Sequence, residues 1–475
     1  MRTPGFENDG GPARWRPFRR AGALVGLLLL VVGCGGEGAE RGVADFDTRP
    51  PGTLEDLATL SGRDDLNVVF ILIDTLRSDR MSAYGYERAT TPTLDYFAKT
   101  GVRFARHRAQ SSWTKTSMAS LWTSLYPQRT GVLNYSHSIS DEARMPAEIF
   151  REAGFTTVGL WRNGWVAPNF GFDQGFDYYQ SPKARQAPSA LRLKEGAGRI
   201  DGTDIDSVFS GIEFLRANQD RRFFLYIHMM DVHQYISTKE TAVFGTTYSD
   251  AYDNSILWTD QQIALVLEAL FDLDLFDRTL VVVASDHGEA FGEHGSEGHA
   301  RGVHYEVVNT PFMIFFPMRL QPGIVVPAPT QNIDVFPTLF DLVGIERDRE
   351  TDGKSRAPWL TGDRRGDKID ESYAQLDRSW GHAKEPSRMI LGIREGPYRL
   401  IHHAHDPTLD RLYDVETDVG EFEDLAPRLG GTVERLRERA KDHLTLRTPW
   451  AREAPSVELD ALHLRQLRAL GYSIE

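Results

Sequence analysis

Side chains that can bind metal ions or transfer protons directly follow three apolar runs of this 475-residue chain: Asp74, then Asp286 and His287, and then His228 and Asp231 with His233 behind them. Carboxylate oxygens and imidazole nitrogens together suit a divalent cation such as Mg²⁺, Mn²⁺, Ca²⁺ or Zn²⁺. The sequence therefore predicts a metal site, provided that the fold brings the three runs together. Taken singly, Asp74 could instead cap a helix and Asp286 could lie in a turn.

The apolar runs themselves have the pattern of buried β-strands. They lie at residues 68–73, 223–227, 280–285 and 312–316, and helical patterns separate them, for example at residues 92–100 and 259–271. Unbroken runs of β-branched and apolar residues are typical of strands covered on both faces of a parallel sheet. The alternation predicts an α/β/α sandwich with a mostly parallel central sheet, in which ligands bind beyond the carboxyl ends of the strands.

The pattern changes at about residue 371. Short alternating segments at residues 389–394 and 398–401 predict antiparallel strands, and residues 431–443 have the pattern of an amphipathic helix. We therefore assign residues 65–370 to the main domain, which carries the candidate site. Residues 371–475 are assigned to a smaller C-terminal α+β subdomain.

The N-terminus has the pattern of an export signal. Four arginines between residues 14 and 20 precede an apolar run at residues 21–32, which is too short to span a membrane, since that takes ~20 residues. The run ends in Val-Val-Gly-Cys, which resembles a bacterial lipobox, and Cys34 is the only cysteine. We expect a lipoprotein signal peptide over residues 1–34 and a flexible, Gly/Pro-rich tether over residues 35–64. Lipid on Cys34 would hold an exported protein at a membrane, in the periplasm, at the outer membrane or on the cell surface; the alternative is an ordinary signal peptide with a chance cysteine.

Composition and charge exclude several kinds of partner. The chain is 41% hydrophobic and 26% charged, with a formal charge of −14; the first 34 residues carry +3, which leaves −17 on the rest. Such an acidic body lacks the basic footprint that nucleic-acid binding needs. Any anion site must therefore be a local pocket, built around a metal. A single cysteine also excludes internal disulfides and thiolate-bound zinc.

Several segments of the chain together form a recognisable set of motifs. Residues 67–79 read NVVFILIDTLRSD, and residues 285–295 read SDHGEAFGEHG. They resemble the opening segment and the second metal-binding segment of the bacterial sulfatase family, within the alkaline phosphatase superfamily. Residues 226–233 resemble the His-containing strand end that contacts substrate. Further similar segments lie at residues 84–86, 91–95, 171–177, 333–339, 412–416 and 467–472. The resemblance extends from about Asn67 to the C-terminus and implies the fold of that superfamily.

The resemblance places Thr114 at the nucleophile position. Sulfatases open a C/S-x-P-S-R segment with a Cys or Ser that is oxidised to formylglycine, whereas residues 114–123 here read TKTSMASLWT. Oxidation of a threonine, a secondary alcohol, would give a ketone, so direct attack by a metal-activated Thr114 hydroxyl remains. Met118 replaces the Arg of that segment, and Thr75 replaces a second Asp. Alternatively, Thr114 only caps the helix that begins there.

The resemblance further implies one divalent metal ion (Ca, Mg, Mn or Zn), with the ligands Asp74, Thr114, Asp286 and His287. His299 lies where relatives often place a Lys or His that protonates the leaving oxygen, and His233 is a second candidate for catalysis; either could instead be structural. The expected activity is metal-dependent hydrolysis of sulfate or phosphate/phosphonate esters through a covalent intermediate on Thr114. The substrate would be a sulfated or phosphorylated small molecule or glycan.

Two other functions stay open. A transferase would pass the group from Thr114 to a lipid or sugar hydroxyl, although the sequence has no multi-span membrane domain. An inactive surface lipoprotein that uses the same fold for binding is suggested by the absence of a convertible Cys and of an Arg at position 118. Retention of Asp74, Asp286 and His287 argues against that second alternative.

Overall fold

The structure, a computed structural model, describes residues 46–183, 202–346, 350–362, 371–381 and 385–459. The signal peptide with Cys34, the tether up to residue 45 and the motif at residues 467–472 lie outside these residues. Among the residues described, no helix combines the length and the apolar character needed to cross a membrane.

Helices and strands alternate through the first two thirds of the chain. In chain order the strands are β1 Pro51–Gly52, β2 Asn67–Ile73, β3 Val102–Arg108, β4 Thr156–Leu160, β5 Tyr178–Gln180, β6 Phe223–Met229, β7 Thr279–Ala284, β8 Ala290–Phe291, β9 Glu297–Gly298, β10 Asn309–Thr310, β11 Phe312–Phe315, β12 Arg319–Leu320, β13 Ile324–Gln331, β14 Glu371–Asp377, β15 Met389–Glu395, β16 Tyr398–His403 and β17 Arg411–Asp414. The α-helices are Leu54–Thr59, Pro92–Ala98, Thr114–Thr123, Pro127–Thr130, Pro146–Glu152, Asp204–Ala217, Tyr248–Asp272, Tyr305–Val308, Val335–Val343, Ala357–Leu360 and Gly430–Leu444.

Nine strands form the central sheet, in the order β10-β3-β11-β7-β2-β6-β4-β5, with β13 paired to β3. The run β7-β2-β6-β4-β5 is parallel throughout. Strand β11, which the sequence predicted, pairs antiparallel with both β7 and β3. Because β7, β2, β6 and β4 are parallel neighbours, the residues that follow them meet at one edge of the sheet.

Strand β2 shows why the sheet is covered on both faces. Val68, Phe70 and Leu72 belong to one apolar cluster, whereas Val69, Ile71 and Ile73 belong to another. Successive side chains of a strand point to opposite faces, so an unbroken apolar run must be buried on both sides. The predicted α/β class, with its mostly parallel central sheet, is confirmed.

The C-terminal part has a separate antiparallel sheet of β14, β15, β16 and β17. The helix Gly430–Leu444 covers it, and Val433, Leu436 and Ala440 share an apolar cluster with Leu391 and Ile393 of β15. This arrangement confirms the predicted α+β subdomain, including its amphipathic helix.

The tether prediction is wrong for residues 46–64, which pack on the main domain. Leu57 and Leu60 lie in the larger apolar cluster. Buried Arg49 forms an ion pair with Asp47 at 2.7 Å and donates a hydrogen bond to the carbonyl of Phe316 at 3.0 Å. Pro51–Gly52 forms β1, which pairs with β12, so the Gly and Pro residues of this segment belong to an anchored segment rather than to a free linker.

Candidate active site

Three of the predicted metal ligands lie together at the carboxyl edge of the sheet. Asp74 follows β2, and Asp286 and His287 follow the neighbouring β7. The His287 Nε2 atom lies 3.4 Å from Asp286 Oδ2 and 3.8 Å from Asp74 Oδ1, and all three residues are fully buried. Within the described part of the chain, neither of those two carboxylate oxygens has a hydrogen-bond partner. Two unpartnered oxygens and one imidazole nitrogen fit a divalent cation.

The electrostatics of the two carboxylates also favour a cation between them. Burial raises the pKa of Asp74, but the hydrogen bond from His228 and the neighbouring imidazoles outweigh it and bring the pKa below its ordinary value. Burial, together with the charge on Asp74, raises the pKa of Asp286 to about 7. Two buried carboxyl groups in one cluster cannot easily both be ionised unless a positive charge balances them. A bound cation provides that charge.

Thr114 is the first residue of the helix Thr114–Thr123, and its side chain faces the same cluster. Its Oγ1 lies 3.0 Å from His287 Nε2. The other ring nitrogen of His287, Nδ1, donates to the carbonyl of Gly288 at 3.0 Å. Because a carbonyl oxygen only accepts, Nε2 carries the lone pair that faces the threonine. The hydroxyl also lies at a helix N-terminus, where the backbone favours an anion.

Asn163, which the sequence analysis missed, joins Thr114 to Asp74. Its Nδ2 donates to Asp74 Oδ2 at 2.7 Å and to Thr114 Oγ1 at 3.4 Å. Its Oδ1 accepts from the Trp165 N–H at 2.9 Å, which fixes the orientation of the amide. The only signal in the sequence is that Asn163 lies just beyond an apolar strand, β4. His228, on β6, donates from Nε2 to Asp74 Oδ2 at 3.2 Å.

The two candidate acids, His299 and His233, lie at the same site. The His299 ring lies 4.7 Å from that of His287 and 5.0 Å from that of His233, centroid to centroid. Its Nδ1 lies 3.1 Å from Glu289 Oε2, which orients the ring. Burial lowers the pKa of His233, and it lowers the pKa of His299 to about 4. Both imidazoles are therefore neutral at pH 7 before an anion binds.

Asp231, grouped with the ligands in the sequence analysis, belongs to a different network. Its Oδ1 accepts from Arg162 at 2.7 Å and its Oδ2 accepts from the Trp258 indole at 2.9 Å. Arg162 also pairs with Asp204. The charge of Asp231 is thus balanced by a buried guanidinium, and the residue anchors the segment after β6 instead of binding a metal.

Thr75 and Met118, where the sequence analysis expects departures from the family motifs, differ in their surroundings. Thr75 has φ of 63°, a left-handed conformation that is unusual for a β-branched residue. In this conformation its N–H donates to Asp286 Oδ1 at 3.2 Å, so its backbone supports a ligand although its side chain is not one. Met118 is fully buried in the larger apolar cluster.

Comparisons with known proteins identify the family of the chain. The family model described as Sulfatase matches residues 66–345, and the model described as N-sulphoglucosamine sulphohydrolase, C-terminal, matches residues 292–445. The choline-sulfatase of Rhizobium meliloti is 32% identical, over 78% of this chain and 84% of the relative. The mouse steryl-sulfatase is 25% identical, over 76% of this chain and 78% of the relative.

Solved structures show the same fold. A 2-O GAG sulfatase superposes with a TM-score of 0.67 at 20% identity, covering 80% of this chain and 92% of that one. The phosphonate monoester hydrolase of Silicibacter pomeroyi gives a TM-score of 0.62 at 20% identity, covering 80% and 95%. The fold and the relatives together define an enzyme of the sulfuric and phosphoric ester hydrolases. Within that class, the chain belongs to the sulfatase family.

Proposed function

We propose that this enzyme is a metal-dependent hydrolase of sulfate or phosphate/phosphonate esters in which Thr114 is the nucleophile. The observation that carries the proposal is the position of Thr114 Oγ1, 3.0 Å from His287 Nε2 at the N-terminus of a helix. The hydroxyl is directed into the buried ligand cluster, away from the helix backbone that a simple cap would contact. Both the nucleophile and an anion-binding backbone are thus in one place.

Side chains of the chain itself orient the nucleophile. The lone pair of His287 Nε2 and the amide of Asn163 both face Thr114 Oγ1, so the oxygen is held in one direction. The Asn163 donor also stabilises negative charge on this oxygen as the hydroxyl loses its proton. Attack on sulfur or phosphorus then forms an ester to Thr114, and water cleaves that ester in a second step.

The residues fit the cation that the family implies. Asp74, Asp286, His287 and Thr114 would hold it: two carboxylate oxygens have no hydrogen-bond partner among the described residues, and the cation would take over the His287 Nε2 lone pair from the Thr114 hydroxyl. When bound, it supplies positive charge that polarises the ester and offsets charge developing on its oxygens. We assign protonation of the leaving oxygen to His299, whose ring Glu289 orients and which takes up a proton from solvent when the anionic ester binds. We assign contact with the bound anion to His233.

The substrate of this proposal is a sulfated or phosphorylated small molecule or glycan. The relatives include a choline-sulfatase and an N-acetylgalactosamine-6-O-sulfatase of Bacteroides thetaiotaomicron, whose names give a small molecule and a sugar as substrates. A phosphonate monoester hydrolase shares the fold. We further propose that the enzyme is exported and anchored through lipid on Cys34, because a basic segment and an apolar run precede this cysteine.

Substitution of Thr114 tests the proposal. Thr114→Ala should abolish turnover of a panel of aryl sulfates, phosphate esters and phosphonates, while Thr114→Ser should keep measurable activity because a primary alcohol can make the same attack. Thr116→Ala is the matched control, since the Thr116 hydroxyl lies on the same helix but donates to the Val132 carbonyl at 2.9 Å. Mass spectrometry with a slow substrate should show a sulfo or phospho group on the peptide that contains Thr114.

The outcomes separate the proposal from its alternatives. Undiminished turnover in Thr114→Ala would mean that water attacks the ester directly. An adduct on Thr114 that is discharged only when a sugar or lipid alcohol is added would indicate a transferase. Absence of turnover and of adduct with every metal and ester tested would leave a binding protein with the sulfatase fold.

A further inference from the structure

A cavity lies where residues 294–304 meet the C-terminal sheet. Its volume is about 550 Å³. Arg301, Arg378, His403 and Glu297 contribute polar atoms to its lining, and Ile390 and Ile401 contribute apolar surface. None of these residues belongs to the proposed metal and nucleophile site.

The charges around this cavity differ in sign from those of the chain as a whole. Arg301 and Arg378 are exposed, and neither forms an ion pair with an acid in the described part of the chain. Among the described residues that line the cavity, only Glu297 is acidic. In a chain with a formal charge of −14, two guanidinium groups without acidic partners create a local positive potential.

The remaining lining suits a small anion attached to an organic scaffold. Ile390 and Ile401, on neighbouring strands, are almost fully buried and provide an apolar wall. His403 Nδ1 is buried and, among the described residues, has no hydrogen-bond partner. Guanidinium groups bind carboxylates and sulfates through paired N–H donors, and an imidazole adds one further polar atom.

A rigid segment connects this cavity to the active site. Arg301 lies two residues after His299, the proposed acid. The Ala300 N–H donates to the Ser112 carbonyl at 2.9 Å, and Ser112 Oγ donates to the Gly302 carbonyl at 2.6 Å. Ser112 itself lies two residues before Thr114. The segment that carries Arg301 is therefore fixed to the segments that carry His299 and Thr114.

A metal ion is the competing ligand, since His294, His304 and Glu306 lie near enough to one another to share one. Both nitrogens of His294 are already engaged, Nδ1 with Glu306 at 2.9 Å and Nε2 with the Glu421 carbonyl at 2.8 Å. His304 stacks on His294 at 4.1 Å. Arg399 is paired with Glu421, so its charge is balanced. Because both nitrogens of His294 are engaged, these three residues do not offer a free set of ligand atoms to a second cation.

We propose that the Arg301–Arg378 cavity binds an anionic group, a carboxylate or a second sulfate, on the part of the substrate that leaves when the ester is cleaved. The inference rests on the proposed ester hydrolysis and adds a substrate class to it: esters whose alcohol part carries at least one further negative charge. Glu297 opposes this binding and limits its strength.

Paired substrates test the cavity in the full-length enzyme. Aryl esters that carry a carboxylate on tethers of increasing length are compared with the corresponding carboxamides. The esters are sulfates, phosphates or phosphonates, according to which type the enzyme hydrolyses. At the best tether length, kcat/KM should be higher for the carboxylate. Arg301→Gln and Arg378→Gln should each lower this preference by roughly three- to tenfold, as expected for one partly exposed charge contact. Glu297→Gln should raise it.

Arg447→Gln is the matched control, because Arg447 is exposed and does not line the cavity. Equal preference for carboxylate and carboxamide, or an equal loss in Arg447→Gln, would overturn the inference. Calorimetric titration of the carboxylated phenols themselves needs no turnover. If no ester is hydrolysed, the proposed function fails. Comparing the binding of these phenols to the wild type and to Arg301→Gln still decides whether the cavity binds anions.

Discussion

Replacing Asn163 tests how the nucleophile is oriented. In the wild type its amide donates to Asp74 Oδ2 at 2.7 Å and to Thr114 Oγ1 at 3.4 Å. A hydrogen bond to a charged group contributes about 1.5–3 kcal/mol. If this interaction strengthens as charge develops on Thr114, Asn163→Ala should lower kcat/KM by roughly 10- to 150-fold, since about 1.36 kcal/mol corresponds to a factor of ten.

The same substitution also removes a structural contact, so stability must be measured separately. Asn163 Oδ1 accepts from the Trp165 N–H at 2.9 Å, and losing such a cap costs about 0.5–2 kcal/mol of unfolding free energy. Asn163→Asp keeps that acceptor but replaces the donor with a charge beside Asp74. Asn163→Asp should therefore keep the hydrogen bond from the Trp165 N–H and the stability that depends on it. Its kcat/KM should fall at least as far as that of Asn163→Ala.

A control with the same chemistry is Asn254→Ala. Asn254 is buried, accepts from the Phe244 N–H at 2.9 Å and donates to the Gly245 carbonyl at 3.1 Å. It should lose comparable stability, measured by denaturant unfolding, and keep wild-type kcat/KM. Equal kinetic losses in Asn163→Ala and Asn254→Ala, or unchanged kinetics in both Asn163 variants, would refute the positioning role.

Three further expectations follow from the site and the N-terminus. His299→Ala should slow the hydrolysis of esters with poor leaving groups, such as alkyl esters, far more than that of nitrophenyl esters, because only the former need a protonated leaving oxygen. An equal loss of rate for all leaving groups would contradict the general-acid role. Metal affinity should fall about tenfold per pH unit below about pH 7, because Asp286, with its pKa raised to about 7, must lose a proton to bind the cation. Titration calorimetry in buffers of different ionisation enthalpy measures that proton, and an affinity that does not change between pH 5 and 7 would contradict it. In a bacterial host, Cys34→Ser should release the enzyme from the membrane fraction; recovery of the wild type in the soluble fraction, still beginning at Met1, would rule out the lipid anchor.

The sequence was most informative where a strand end and a charged residue coincide. Asp74, Asp286 and His287 follow long apolar runs, so their convergence could be predicted from the geometry of parallel sheets. Asn163 could not be predicted in this way, because β4 is short and the residues after it form no recognisable motif. Its role depends on β4 lying beside β6, which only the strand order reveals.

Asp231 shows the limit of that argument. It was one of the side chains after strand ends from which a metal site was predicted, although not one of the four assigned ligands, and its charge is balanced by Arg162, 69 residues earlier in the chain. Sequence order does not report such a partner, so a buried acid cannot be assigned to a metal until its counter-charges are known. The tether prediction failed similarly, because composition did not reveal that Arg49 and Leu57 pack on the main domain.

Charge also explains why a cation matters for more than the chemical step. Burial lowers the pKa of His233, His287 and His299, so these rings are neutral at pH 7, whereas Asp74 stays ionised. Without a cation the site is therefore negative and repels an anionic ester. A divalent ion reverses that sign, and the helix N-terminus at Thr114 adds to it. An acidic enzyme can thus bind an anion only through a few local positive groups, which is why the Arg301–Arg378 cavity bears on substrate choice.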